Sequence, residues 1–120
     1  MKIGISAAGN RPDSPIDARF GRAGCFQVFD TDNGKYEVID NSSGRDSMQG
    51  AGVQAGELVA GLGVSVMITG HCGPKAFRVL QADGIHVAVG ARGTAREAVE
   101  QFTKGTIKPT DAPDVVGHWA

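Results

Sequence analysis

Short apolar runs and helical stripes alternate along the chain in the order expected of an α/β sheet protein. Lys2 to Ser6 intersperses Ile3 and Ile5 with small residues and predicts a first strand, and Cys25 to Asp30 and Lys35 to Asp40 predict two more. Thr31-Asp32-Asn33-Gly34 joins the latter two as a hairpin, because Asn-Gly accommodates the positive φ angles of a tight turn. Lys35 and Glu37 alternate with Tyr36 and Val38, a pattern that suits an edge strand with one wet face.

Within Ser47 to Gly61, the apolar residues Ala51, Ala55, Leu58 and Leu62 recur at helical intervals. Val64 to Thr69 is a continuous apolar run, Pro74 opens a second helix carrying Phe77 and Leu80, and Ile85 to Val89 is another buried run. Thr94 and Glu97 form a capping box for a third helix, with Ala95, Ala98, Val99 and Phe102 as its buried stripe. Gly105 can close that helix in a left-handed cap. Beyond it the pattern is lost, so residues 1–105 are expected to form the domain and residues 106–120, with His118 and Trp119, a loosely attached tail.

Three strands on short links followed by two helix-strand units favour a five-stranded mixed sheet in the order 3-2-1-4-5, with strand 2 antiparallel and three helices. The switch point between strands one and four faces the loops Ala7 to Gly24 and Gly70 to Gly73, where such sheets bind ligands. Arg11, Arg19, Arg22, Arg45 and Arg92 fall in these edge loops, with Lys75 in the first turn of the second helix. All three helices are expected to start at the same edge with unpaired N–H groups, so the edge suits an anion.

A length of 120 residues fits one domain. Glycine, at 18 residues, is about twice its usual share and must be explained by loops. A net charge of -1 gives no general affinity for nucleic acid. Neither a leader peptide nor a membrane span is evident, so the expected address is cytoplasmic and Cys25 and Cys72 are expected to be reduced thiols.

Thr69-Gly70-His71-Cys72-Gly73-Pro74 sets an imidazole beside a thiol just before a helix start, where the dipole favours a metal-binding thiolate. His71 and Cys72 are therefore candidate metal ligands, although two adjacent donors fall short of a closed zinc site, and inert packing is the competing reading of Cys72. Cys25 reads as a buried structural thiol, and Met48 as a possible soft thioether contact or core filler. Gly50-Ala51-Gly52 imitates a dinucleotide fingerprint but lacks the preceding strand and the later acid. Two-metal hydrolysis is not expected, because the first and fourth strands carry no carboxylates, and no nucleophile elbow is present.

Asp17-Ala18-Arg19-Phe20-Gly21-Arg22 resembles the D-x-R-F-G-R signature of the dinitrogenase iron-molybdenum cofactor biosynthesis family. Gly50 to Gly56, Gly70 to Ala76, Gly84-Ile85 and Glu97-Ala98 extend the resemblance over roughly residues 1–105. It implies a ribonuclease H-like fold and a non-enzymatic carrier of an anionic metal–sulfur cluster or its precursor, molybdenum with iron or with copper, with protein partners in cluster assembly. The expected contacts are Arg19, Phe20, Gly21, Arg22, Met48, Gly70, His71, Cys72, Gly73 and Arg92, helped by a metal bond from His71 or Cys72 or by closure of the long first loop. A thiol-based redox enzyme or sensor using Cys72 and His71, a protein-binding regulatory module, and a simple oxyanion as ligand remain open alternatives.

Overall fold

The computed structural model describes residues 1–46 and 50–113. Strand β1 (Lys2–Ala7) pairs antiparallel with β2 (Cys25–Asp30), which pairs antiparallel with β3 (Tyr36–Asp40) at the sheet edge. On its other side β1 pairs parallel with β4 (Val66–Ile68), and β4 pairs parallel with β5 (His86–Ala88). The Asp30 carbonyl accepts the Gly34 N–H in the hairpin turn, and Gly34 alone takes a positive φ there, 73°, so the loop is a longer turn closed by one left-handed glycine.

The order 3-2-1-4-5 is therefore present, but the sheet has six strands. Pro109 and Thr110, expected to lie in a loose tail, form β6, antiparallel to β5. A two-residue strand carries no periodicity to read, and a proline that donates no hydrogen bond is tolerated at a sheet edge. A single helical turn, α1 (Ser42–Arg45), also precedes the three expected helices α2 (Ala51–Ala60), α3 (Pro74–Ala82) and α4 (Ala95–Thr103). Met48, His118 and Trp119 lie outside the described residues.

Alternation along the strands divides the core between two faces of the sheet. Phe26, Val28, Met67 and Val87 pack with Ala55 and Val59 of α2 and Ala76, Phe77 and Leu80 of α3. Ile3, Ile5, Val66, Ile68 and Ala88 pack against Ala95, Ala98 and Val99 of α4. Helices α2 and α3 approach closely at Gly56, where an added Cβ would stand 2.9 Å from Val79 Cγ1. Helix α4 starts with the expected reciprocal capping box of Thr94 and Glu97. It ends with Gly105 at φ 79°, its N–H bonded to the Phe102 carbonyl and that of Thr106 to the Gln101 carbonyl. This is the left-handed closure that satisfies the last carbonyls.

Phe20 corrects the sequence reading. It was expected to touch a cargo, yet it has no solvent exposure and stacks on Phe26 at 5.3 Å between ring centroids. It thus fastens the first loop to the core by burying a large apolar side chain. Phe20→Ala is expected to cost about 3–5 kcal/mol, read as a lowered urea midpoint in the absence of any ligand.

Candidate functional site

Residues 8–24 connect β1 to β2, and hydrogen bonds fix them at several points instead of leaving a free lid. Ala8 N–H donates to the Pro15 carbonyl and Asp17 N–H to the Ser6 carbonyl, both at 2.9 Å. The buried Ser6 hydroxyl donates to the Asp17 carbonyl (2.7 Å) and shares a hydrogen bond with Thr69 Oγ1 (2.8 Å). Gln27 Nε2 donates to the carbonyls of Gly9 (2.8 Å) and Arg11 (2.7 Å). Its Oε1 is buried without a hydrogen-bond partner among the described residues, so Gln27 spends its amide N–H groups on holding the loop.

The same loop occupies the start of α4. Ala95 and Arg96 N–H donate to the Ser14 and Pro12 carbonyls (2.9 Å each), and Glu97 N–H donates to the Thr94 hydroxyl (3.1 Å). An ion pair between Arg96 and Asp13 adds a side-chain tie. The expectation that all three helix starts offer free N–H groups is therefore wrong for α4. At α3 the N–H groups of Gly73, Lys75 and Ala76 have no partner among the described residues, and Pro74 has none to offer. At α2, whose N-cap Gly50 has a φ of 77°, those of Ala51 and Gly52 are likewise unpartnered among the described residues.

The first loop meets the turn after β4 through backbone pairing. His71 N–H donates to the Ala18 carbonyl (2.6 Å) and Phe20 N–H to the His71 carbonyl (3.2 Å), a parallel bridge between Arg19 and His71. Gly70 is required by this crossing, because a Cβ there would lie 2.7 Å from Ala18 Cα and 2.9 Å from its carbonyl oxygen. Gly90 and Ala91 N–H groups bond the carbonyls of Gly70 and Thr69, so the loop after β5 joins the same edge.

The residues 17–22 can now be read one by one. Asp17 accepts the Arg19 N–H (3.1 Å) and stands 3.8 Å from its Nε, turning the chain so that Arg19 points outward, half exposed. Ala18 pairs with His71, Phe20 goes into the core, and Gly21 gives its carbonyl to the buried amide of Asn41 (3.4 Å). Arg22 is partly exposed and donates from Nη1 to the Arg45 carbonyl at the end of α1 (3.1 Å). Arg19, Arg22, Gly70, partly exposed His71 and Gly73 therefore stand along one edge.

Two other expected contacts are held differently. Cys72 has no solvent exposure, its thiol lies 3.8 Å from the Gly73 carbonyl, and it belongs to the same core cluster as Phe20. It cannot touch a surface-bound cluster unless this turn opens. Arg92 is exposed, but its backbone is held by Gln101 of α4, through a 2.7 Å bond from Gln101 Nε2 to its carbonyl. It stands on the α4 side of the first loop. Among the described residues no three of His, Cys, Asp and Glu converge to hold a metal ion.

Cys25 is buried, with its thiol 3.1 Å from the Gly9 carbonyl, which it can donate to. Desolvation and then the nearby carboxylates of Asp40 and Asp17 raise its pKa, so the thiol stays protonated at neutral pH. Sequence reasoning overlooked Ser6, Gln27 and Asn41 as the residues that hold the first loop. For Ser6 and Gln27 a signal exists, since each places a polar side chain inside a strand whose neighbours are otherwise apolar or small.

These features describe a three-layer α/β domain whose first loop and β4 turn are joined into one rim at the sheet switch point. The chain belongs to the family described as dinitrogenase iron-molybdenum cofactor, whose model matches residues 1–105. The apo form of the orange protein from Desulfovibrio gigas is 37% identical and superposes with a TM-score of 0.91, covering 95% of this chain and 96% of that one. A Thermotoga protein assigned to the DUF35 family is 29% identical with a TM-score of 0.83, over 97% of this chain and 98% of its own. An uncharacterised Methanocaldococcus jannaschii protein is 31% identical over 111 residues, 90% of each chain. No helix among the described residues is long and apolar enough to cross a membrane.

Gly70→Ala is expected to cost about 1–3 kcal/mol as overpacking, with faster hydrogen exchange at His71 N–H as its local mark. Iodoacetamide is expected to modify Cys25 far more slowly than free cysteine at pH 8, because burial and the raised pKa both withhold the thiolate; mass spectrometry of the alkylated protein measures this.

Proposed function

We propose that the chain holds and passes on an anionic metal–sulfur cluster, or its precursor, and does not itself catalyse a reaction. The observation that carries this reading is the Arg19–His71 bridge. It joins the arginine-bearing loop to a turn that leads directly into the start of α3, where the N–H groups of Gly73, Lys75 and Ala76 have no partner among the described residues and Lys75 is exposed. Guanidinium groups and a helix start both favour negative charge, and preformed donors lose little freedom on binding. Membership of the cofactor family and likeness to the orange protein support a metal sulfide over a simple oxyanion.

In this reading the holding unit is residues 1–105, with Arg19, Arg22, His71 and the exposed Lys75 at the start of α3 as the contacts, and the order of the first five strands speaks for ribonuclease H-like kinship. The cargo contains molybdenum with iron or copper, and the protein works in the cytoplasm with other cluster-assembly proteins. Retention depends on charge and hydrogen bonding, with His71 as the accessible donor for a metal bond. The burial of Cys72 weighs against a thiol enzyme or sensor, since a working thiolate must be reached by its substrate. The fixing of the first loop to α4 and β1 weighs against its closing as a lid.

Titration with tetrathiomolybdate and copper(I), followed by visible absorption, is expected to give saturable binding. Arg19→Gln and Arg22→Gln are each expected to weaken it by roughly ten- to a hundredfold, the loss of one hydrogen bond to a charged partner. His71→Ala with Cys72→Ala tests the metal bond, and unchanged affinity in that pair would remove it. Absence of saturable binding by the wild-type chain, together with metal-free protein from a host supplied with molybdenum, copper and iron, would sink the carrier reading.

A further inference from the structure

Asn41, at the junction of β3 and α1, has 3% of its surface exposed, and four hydrogen bonds converge on it. Its Nδ2 donates to the Ala23 carbonyl (2.9 Å) and the Gly21 carbonyl (3.4 Å), on either side of Arg22. Its own N–H donates to the Gly24 carbonyl (3.2 Å), and its carbonyl accepts the Arg45 N–H (2.9 Å). Arg45 in turn supplies the carbonyl that receives Arg22 Nη1. Both ends of the Arg22 side chain, its backbone and its guanidinium, thus trace back to one buried amide.

A second feature shows how tightly that amide is held. Position 44 lies within the short helix α1, where glycine is a poor helix former. A Cβ at Gly44 would come 2.7 Å from Asn41 Oδ1. Helix propensity is given up there to leave room for the amide.

We propose that Asn41 is the positioning residue of the rim: it fixes the Phe20–Gly24 turn and sets the place and direction of Arg22. Its bearing on cargo rests on the carrier reading above, whereas its hold on the turn does not. An unpositioned arginine must lose side-chain freedom on binding, so fixing Arg22 beforehand converts that loss into affinity.

Asn41→Leu keeps the branching and heavy-atom count of the side chain with bulkier ends and removes both donors, and Asn41→Asp keeps the shape but sets a carboxylate against two carbonyls. In the ligand-free full chain, both substitutions are expected to speed hydrogen exchange at residues 20–24 by at least about tenfold, the factor for one lost hydrogen bond, while amides of β1 and β4 change little. Equal acceleration throughout the chain, or none at residues 20–24, would overturn the proposal. With tetrathiomolybdate and copper(I), Asn41→Leu is expected to weaken binding severalfold, and Arg22→Gln added to it is expected to cost less than it does alone. Full additivity of the two would refute action through Arg22. If the wild-type chain binds no cluster, the carrier reading fails, and the exchange measurement still decides whether Asn41 holds the turn.

Discussion

Two backbone hydrogen bonds, between Ala18 and His71 and between Phe20 and His71, hold the functional edge together. They align a loop that leaves β1 with a turn that leaves β4, and so convert a sheet switch point into a continuous rim. The bonds require close approach, which is why Gly70 carries no side chain. They also divide the signature stretch by direction, sending Phe20 into the core and Arg19 into solvent.

Around that pairing the molecule is asymmetric. On the α4 side the first loop consumes the helix's leading N–H groups and adds the Arg96–Asp13 pair. On the α2 and α3 side the leading N–H groups have no partner among the described residues. The unpartnered helix-start N–H groups among the described residues are thereby concentrated on the α2 and α3 flank.

Much of this was legible in the sequence because local chemistry and global fold agree. Asn33-Gly34 specified the hairpin, Thr94 with Glu97 the start of α4, and the order of apolar runs the first five strands. Which edge residues turn inward was not legible. Phe20 and Cys72 lie in loops beside charged or polar neighbours, and only the three-dimensional crossing at Gly70 shows that they are core. Asn41 and Gln27 read as polar strand or turn residues; their burial follows from carbonyls contributed by a distant loop. Strand β6 was not legible either, because two residues have no period.

That last strand bears on how the protein behaves in company. Without Pro109 and Thr110, β5 would end the sheet as a bare row of amides and carbonyls, an invitation to cross-chain pairing. The proline cannot extend a ladder outward through its own nitrogen, so the final strand is a poor template for another molecule. A few residues outside the main pattern thus act as a selvedge, finishing the woven edge so that neighbouring chains find less to knit onto.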